Sequence, residues 1–280
     1  METGENNKIS SYISKSFSVE KTELYHLSVE ISPNKLTYCL LDTNKFEYVF
    51  LKSANTNDIS DIIQLIGEDE LLKSNFFSST LSYSNFPSSI IPNKFYKKEN
   101  EKTILEFENE IFDVMKRDNI HQIDSKIAYS IPSELEDFIS DIFPSIVEKN
   151  STNIIIDQLI NQGKTTNEKS VFAFIENKKV EIIILKNDKL CFRNSFDFES
   201  ETDLLYYVLF CFEQLKLYPE KTPLVLFGDV KKEDRNFNIL YDYVRNVSFG
   251  NKAEKLTYPT EFSEIKNQEY FALFSQVLCV

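Results

Sequence analysis

Apolar and polar positions alternate with a period near two in three short runs close to the start of the chain. "YHLSVEI" is followed by the turn "SPNK", "LTYCLLD" by the turn "TNK", and "FEYVFLKS" leads on to "NTNDISDIIQLI". Runs of this length bounded by Asn, Lys and Ser predict a three-strand meander. The last stretch, apolar at three- to four-residue spacing behind an Asn capping candidate, predicts a helix. The same order recurs in the second half: "SVFAFIE", the turn "NKK", "VEIIIL", the turn "KNDK", "LCFRNSFDF", then a helix opening near "SETDLLYYVLF" behind a Ser. Lys35 aligns with Lys179, and Asn44-Lys45 with Asp188-Lys189, at the single offset of 144 residues. Turn lysines alone say little, but one offset that preserves element order and strand length predicts an internal duplication.

Each half continues with alternating elements, which predicts mixed α/β (α+β) sheets covered by helices. "SKIAYSIP" is the clearest later strand of the first half, followed by the helix "SELEDFISDIF"; "TPLVLFGDV" and the helix "KEDRNFNILYDYV" play those parts in the second. The helix from Thr202 to Leu217 is apolar nearly all round, which predicts burial at the contact between halves. The expected division is a flexible N-terminus over 1–20, a first half over 21–162 with an irregular insertion near 84–110 carrying one helix, and a second half over 170–280.

The connector between the halves reads "NQGKTTNEKS", and its Gly163-Lys164-Thr165 has the ending of a phosphate-binding loop. Such a loop needs another glycine five positions earlier, where Gln158 stands, and a strand before it. Ile155, Ile156, Leu159 and Ile160 instead have helical spacing, so Gly163 is expected to end a helix.

The 280 residues carry 24 Phe and 14 Tyr, are 42% hydrophobic, and therefore form a packed globular protein with a real core. A formal charge of −13 opposes binding to nucleic acid or to an anionic membrane, because those partners reward clustered Lys and Arg. Cys39, Cys191, Cys211 and Cys279 form no C-x-x-C pair and sit in apolar runs, so all four are expected to be reduced and buried, as in a cytoplasmic protein. His26 and His121 lie 95 positions apart without a helical partner, and no metal site is expected. No stretch approaches the length of a membrane span, and "METGENNKISSYISKSF" lacks the apolar core of a secretory signal.

Two meander-and-helix halves in one chain resemble the actin-like ATPase fold, in which two ribonuclease-H-like halves face each other across a nucleotide cleft. The segments "LSVEISPNKLTYCLLD", "IAYSIPSEL", "FDFESETDLLYYVL", "VLFGDV" and "EYFALFSQVLCV" resemble a bacterial family known as domain of unknown function 3822, to which that fold and no established activity are ascribed. The resemblance implies two phosphate-binding hairpins, each with a glycine turn and an opening aspartate for hydrated Mg²⁺, and a double glycine against the adenosine. Here Glu30 stands at the first aspartate position, and the turn Ile31-Ser32-Pro33-Asn34 has no glycine and lacks one N–H donor at Pro33. Phe174 stands at the second, and the turn Glu176-Asn177-Lys178-Lys179 also has no glycine. Gly228 alone survives of the third motif, beside Asp229, and a strand-to-helix turn explains it as well as a ligand would. Glu30 and Asp42 also raise a ribonuclease-H-like pair of metal-binding carboxylates, which the acidic charge and missing basic track disfavour.

These readings assign no catalytic, cofactor-binding or metal-binding residue and no cofactor. They point to a non-catalytic pseudoenzyme acting as a cytoplasmic scaffold or protein-binding module with a protein partner of unknown identity. Homo-oligomerisation stays open. The alternative is a nucleotide-binding enzyme or sensor of the actin-like superfamily with slow or no hydrolysis.

Overall fold

The computed structural model describes residues 9–108, 110–163 and 168–279. In the first half, β2 (Tyr25–Ser32), β3 (Lys35–Asp42) and β4 (Glu47–Asn55) form the antiparallel meander, and α1 (Ile59–Glu68) follows behind an Asp58 cap. The chain then returns as β5 (Ser78–Tyr83), parallel to β2, and β9 (Val147–Asn150) extends the sheet parallel to β5. The N-terminal strand β1 (Ile9–Ile13) pairs with β4, so the sheet runs β1-β4-β3-β2-β5-β9. This corrects the expectation of a flexible segment over 1–20 for its described part. "ISSYI" alternates with too few apolar residues to stand out, yet the free edge of β4 supplies its hydrogen bonds.

The second half repeats this order. β10 (Ser170–Glu176), β11 (Lys179–Lys186) and β12 (Lys189–Asp197) make the meander; α5 (Glu201–Gln214) follows; β13 (Leu224–Gly228) lies parallel to β10, and β14 (Val247–Phe249) parallel to β13 after α6 (Arg235–Tyr243). Local chemistry explains the boundaries. Ser200 and Asp203 form a reciprocal capping box at the start of α5, and Asn187 and Asp188, both at positive φ, make the two-residue turn between β11 and β12.

The insertion is more regular than expected. Within residues 84–110, β6 (Ser88–Pro92) precedes α2 (Glu101–Glu108), and β6 joins β7 (Val114–Ile120) and β8 (Ser125–Ile131) in a separate antiparallel sheet of order β6-β8-β7. Pro92 ends β6, where a missing N–H costs the ladder nothing, and that proline masked the strand in the sequence. α3 (Ser133–Ile142) then covers the first sheet, with Leu135 and Ile139 in its core.

The contact between halves is made by α4 (Ser151–Asn161), not by α5. Ile155, Ile156 and Leu159 of α4 pack with Phe172, Ile183, Phe227 and Phe271. α5 buries Leu204, Leu205, Val208 and Phe212 in the core of the second sheet and leaves Tyr206 and Phe210 exposed, so its apolar outer face is aromatic surface rather than an inter-half seam. Gly163 follows α4 at positive φ and its N–H reaches the Ile160 carbonyl, a helix ending as expected; Lys164 and Thr165 lie outside the described residues. After β14 the chain crosses back, and α7 (Phe271–Ser275) packs against β2, β3 and α4. Gln276 fixes it there, with Nε2 donating to the Val29 carbonyl and to Ser82 Oγ, each at 2.8 Å. Among the described residues no helix is long and apolar enough to cross a membrane.

The four cysteines are free thiols but are not all buried: Cys39 and Cys211 are, Cys279 is half-buried, and Cys191 is exposed. β12 is an edge strand with a bulge against β11 at Ile184/Leu185, and alternation there turns Cys191 outward between Leu190 and Phe192. Burial pushes the Cys211 thiol up to about 12 and the Cys279 thiol up to about 11. Alkylation of the folded protein followed by mass spectrometry should therefore modify Cys191 first and Cys279 next, with Cys39 and Cys211 reacting only on unfolding. Early modification of Cys39 or Cys211 would contradict this packing.

Candidate functional site

The two hairpins that would grip phosphates do face each other, but they hold each other instead. Lys35 opens β3 immediately after the first turn, and Glu176 closes β10 immediately before the second. Lys35 Nζ lies 2.6 Å from Glu176 Oε1 and 3.5 Å from Asp229 Oδ2, and it stacks over the Tyr270 ring at 5.5 Å. The other carboxylate oxygen of Glu176 accepts from Asn85 Nδ2 at 3.0 Å. Tip to tip, Asn177 Nδ2 donates to Asn34 Oδ1 at 3.1 Å, and Lys179 Nζ donates to the Asn85 carbonyl at 3.4 Å. The aligned pair Lys35 and Lys179 thus both contribute to one latch between the halves.

Below the latch the cleft is filled. Phe174 stacks on Phe227 with ring centroids 4.6 Å apart, and Phe271 of the returning C-terminal segment packs on Phe227 at 4.7 Å. A cavity of about 70 Å³ remains, lined by Glu30, Lys35, Glu176, Asp229 and the rings of Phe174 and Phe271. That space suits one or two waters and is far below the few hundred Å³ of a small-molecule site. Gly228 has a structural reason: its φ is +87°, a Cβ there would overlap the Ile175 carbonyl oxygen, and its N–H donates to the Gln268 carbonyl at 2.9 Å. Gly250 is required too, since a Cβ would enter the Phe227 ring.

Electrostatically the cavity lining holds four carboxyl groups, Glu30, Glu176, Glu181 and Asp229, and the Lys35 ammonium; Glu181 is already paired with Arg193 Nε at 2.6 Å. Burial, then the nearby Glu176 charge, push the Glu30 carboxyl up to about 8, against the opposing pull of Lys35 and of the Ser82 hydroxyl, whose Oγ lies 3.4 Å from Glu30 Oε2. Burial also raises the Asp229 carboxyl, and Lys35 opposes that rise. For Lys35, burial disfavours the charge, yet Glu176 and Asp229 together hold the ammonium protonated well above its ordinary range. The arrangement neutralises charge internally. It presents neither a row of converging N–H donors to an anion nor open ligand positions to a cation.

The structure brings Glu30, Phe174 and Gly228 to one cavity, as the aligned hairpins required. Asp42 is not among them: it sits at the far end of β3, and its Oδ1 caps the following turn through Asn44 N and Lys45 N at 3.0 and 3.1 Å. No metal-binding group of three or more His, Cys, Asp or Glu occurs among the described residues. Sequence reasoning placed Lys35 only as a turn residue and missed Asn85. The one available signal was that Lys35 follows a glycine-free turn directly, where its stem can reach the facing hairpin.

The family model for the protein of unknown function (DUF3822) matches residues 14–247. Among solved structures, a Bacteroides thetaiotaomicron protein described as having an actin-like ATPase fold and unknown function is similar at a TM-score of 0.77 and 15% identity. That match covers 88% of this chain and 97% of the other. A structure of the PilM–PilN type IV pilus biogenesis complex is similar at a TM-score of 0.57 and 13% identity, covering 92% of this chain and 98% of the other. No curated protein matches the chain. These likenesses establish the actin-like ATPase fold with its two meander-led halves, and at such identities they establish the fold alone.

Proposed function

The chain belongs to the DUF3822 family of proteins of unknown function, and we propose that it is a non-catalytic actin-like protein, cytoplasmic, whose two halves over 21–162 and 170–280 are latched into a platform for a protein partner. The observation that carries this reading is the Lys35–Glu176 pair, which joins the two hairpins at 2.6 Å where an actin-like enzyme would need room for phosphates. A nucleotide would have to break that pair, displace the stacked Phe174, Phe227 and Phe271, and meet the carboxylates of Glu176 and Asp229. That a PilM structure of the same fold is known in a two-protein complex supports a binding role for such a platform.

Titration of ATP with Mg²⁺ into the purified chain in a calorimeter should give no saturable heat, and phosphate release should stay at background. Saturable binding that Glu176→Gln strengthens, by removing a like charge and the latch, would favour the alternative, a nucleotide-binding sensor or slow enzyme.

A further inference from the structure

A hollow much larger than the cleft cavity lies elsewhere in the protein. A groove of about 950 Å³ separates the small β6-β8-β7 sheet and α2 from β12, the outer strand of the second sheet. Both bordering strands, β6 and β12, are edges of their own sheets, so among the described residues a row of main-chain donors and acceptors on each lacks a neighbouring strand.

The ladder registers say which groups those are. Ser130 N bonds to the Pro87 carbonyl and Asn93 N to the Asp124 carbonyl, which in an antiparallel pair places residues 87, 89, 91 and 93 toward β8. Ser88, Ile90 and Pro92 therefore turn their main-chain groups away from β8. On β12, the bond from Phe198 N to the Lys178 carbonyl sets the same alternation and turns Arg193 outward from β11. At one end the two edges are already bridged: Arg193 Nη1 donates to the Ser88 carbonyl and Nη2 to Ser88 Oγ, both at 2.8 Å, while Nε pairs with Glu181 at 2.6 Å. Beyond that bridge the groove runs along Ile90 and over β12 residues 189–193, about 16 Å of extended chain.

Its walls are apolar, with Ile90, Ile104, Phe107, Ile123, Leu190 and Phe192. Phe107 is 89% exposed, which is a large cost for a phenylalanine left uncovered. The rim charges differ in availability. Asp124 already accepts Asn93 Nδ2 at 2.7 Å and Asp188 is likewise engaged, whereas among the described residues neither the Lys94 nor the Lys189 ammonium is in an ion pair. The Lys94 ammonium lies over the Phe95 ring at 4.7 Å, a contact that leaves its charge unneutralised. In a chain of net charge −13, these two ammoniums without a carboxylate partner beside an apolar trough favour a ligand that is apolar inside and acidic at its ends.

We propose that this groove binds an extended peptide segment of a partner protein, apolar at alternate positions and flanked by carboxylates, as a strand added to the β6 or β12 edge. Main-chain pairing would give affinity and the apolar walls specificity, the mode by which exposed sheet edges take peptides elsewhere. The inference deepens the reading of the protein as a binding platform, but it uses no residue of the cleft.

Selection of phage-displayed random heptapeptides on the intact chain supplies the probe. Enriched peptides should alternate apolar residues and carry Asp or Glu near an end. When titrated in solution they should slow alkylation of Cys191, which lines the groove, by tenfold or more. N-methylation of alternate peptide amides in one register, and not in the other, should weaken binding at least tenfold. Ile90→Pro, which removes an outward N–H at an edge position that tolerates proline, should weaken it similarly if β6 is the receiving edge. Lys94→Glu with Lys189→Glu should shift preference to peptides with basic ends. Failure to enrich any peptide, binding that leaves Cys191 unprotected, or affinity indifferent to N-methylation in both registers would overturn the proposal, as would protection of Cys191 by self-association alone. Because the cleft is not involved, nucleotide binding in the calorimeter would defeat the platform reading while leaving these results to stand or fall by themselves.

Discussion

Lys35→Met is expected to lose about 3–5 kcal/mol of stability at neutral pH, the range found when one partner of a buried ion pair is removed. The substitution keeps an apolar stem of similar length, so packing against Tyr270 is largely preserved and the loss is electrostatic. With Glu181 held by Arg193, what remains is Glu176, Asp229 and Glu30 around one small cavity with no cation of their own, so mutual repulsion and, for Glu30 and Asp229, burial oppose ionisation. Urea unfolding followed by circular dichroism would measure the effect as a drop in midpoint at unchanged slope. Adding Glu176→Gln to Lys35→Met should recover most of the loss, because the amide keeps a hydrogen-bonding group toward Asn85 while removing a charge. A loss under about 1 kcal/mol for Lys35→Met, as for an exposed pair, would mean that the latch is a surface contact and that the cleft can open freely.

The same residues show what a sequence can and cannot display. The six meander strands and their following helices are legible because each combines a period of two or of three to four with Asn, Asp, Ser or Lys at the turns, and both signals are local. Gly163 as a helix ending is legible for the same reason. The latch is not, because Lys35 and Glu176 are separated by 141 positions and only the pairing of two sheets through α4 and α7 brings them together. β6 was hidden by its proline and by Ser-rich polarity, although an edge position needs neither an internal N–H nor an apolar outer face. Cys191 was misplaced by counting apolar neighbours instead of parity: in "KLCFRN" alternation opposes it to Leu190 and Phe192 on a strand with one free face. The all-round apolar character of α5 likewise signalled burial, but Tyr206 and Phe210 stack on each other at 5.9 Å on an exposed face. Apolar content says that a residue gains from cover, not which cover it has.

Stability as a function of pH offers a second large effect, because two buried groups act with opposite sign. The Glu30 carboxyl is raised in the folded protein to about 8 from an ordinary value of 4.5. Its contribution is therefore fully present below about pH 4.5 and is lost as pH rises through 8. Burial lowers the His26 imidazole to about 4 from 6.5; its ring nitrogens lie 2.7 Å from Ser78 Oγ and 3.1 Å from Thr80 Oγ1, and Thr80 is tied to Gln276 of the C-terminal segment. That contribution is fully present above about pH 6.5 and is lost as pH falls through 4. Between these limits the two slopes cancel. Because it removes only the Glu30 slope, Glu30→Gln should stabilise the protein relative to wild type by an amount that grows from about pH 4.5 and reaches roughly 4 kcal/mol at pH 8. His26→Gln, which keeps hydrogen bonding to Ser78 and Thr80, should lose stability at neutral pH through imperfect packing yet close the gap on wild type as pH falls from 6.5 to 4. Urea midpoints measured for the three proteins at half-unit intervals from pH 4 to pH 8.5 would give both difference curves. A Glu30→Gln curve parallel to wild type would show that folding leaves the Glu30 carboxyl at its ordinary value, solvated in a cleft more open than the latched one, and an inert cleft would then be excluded.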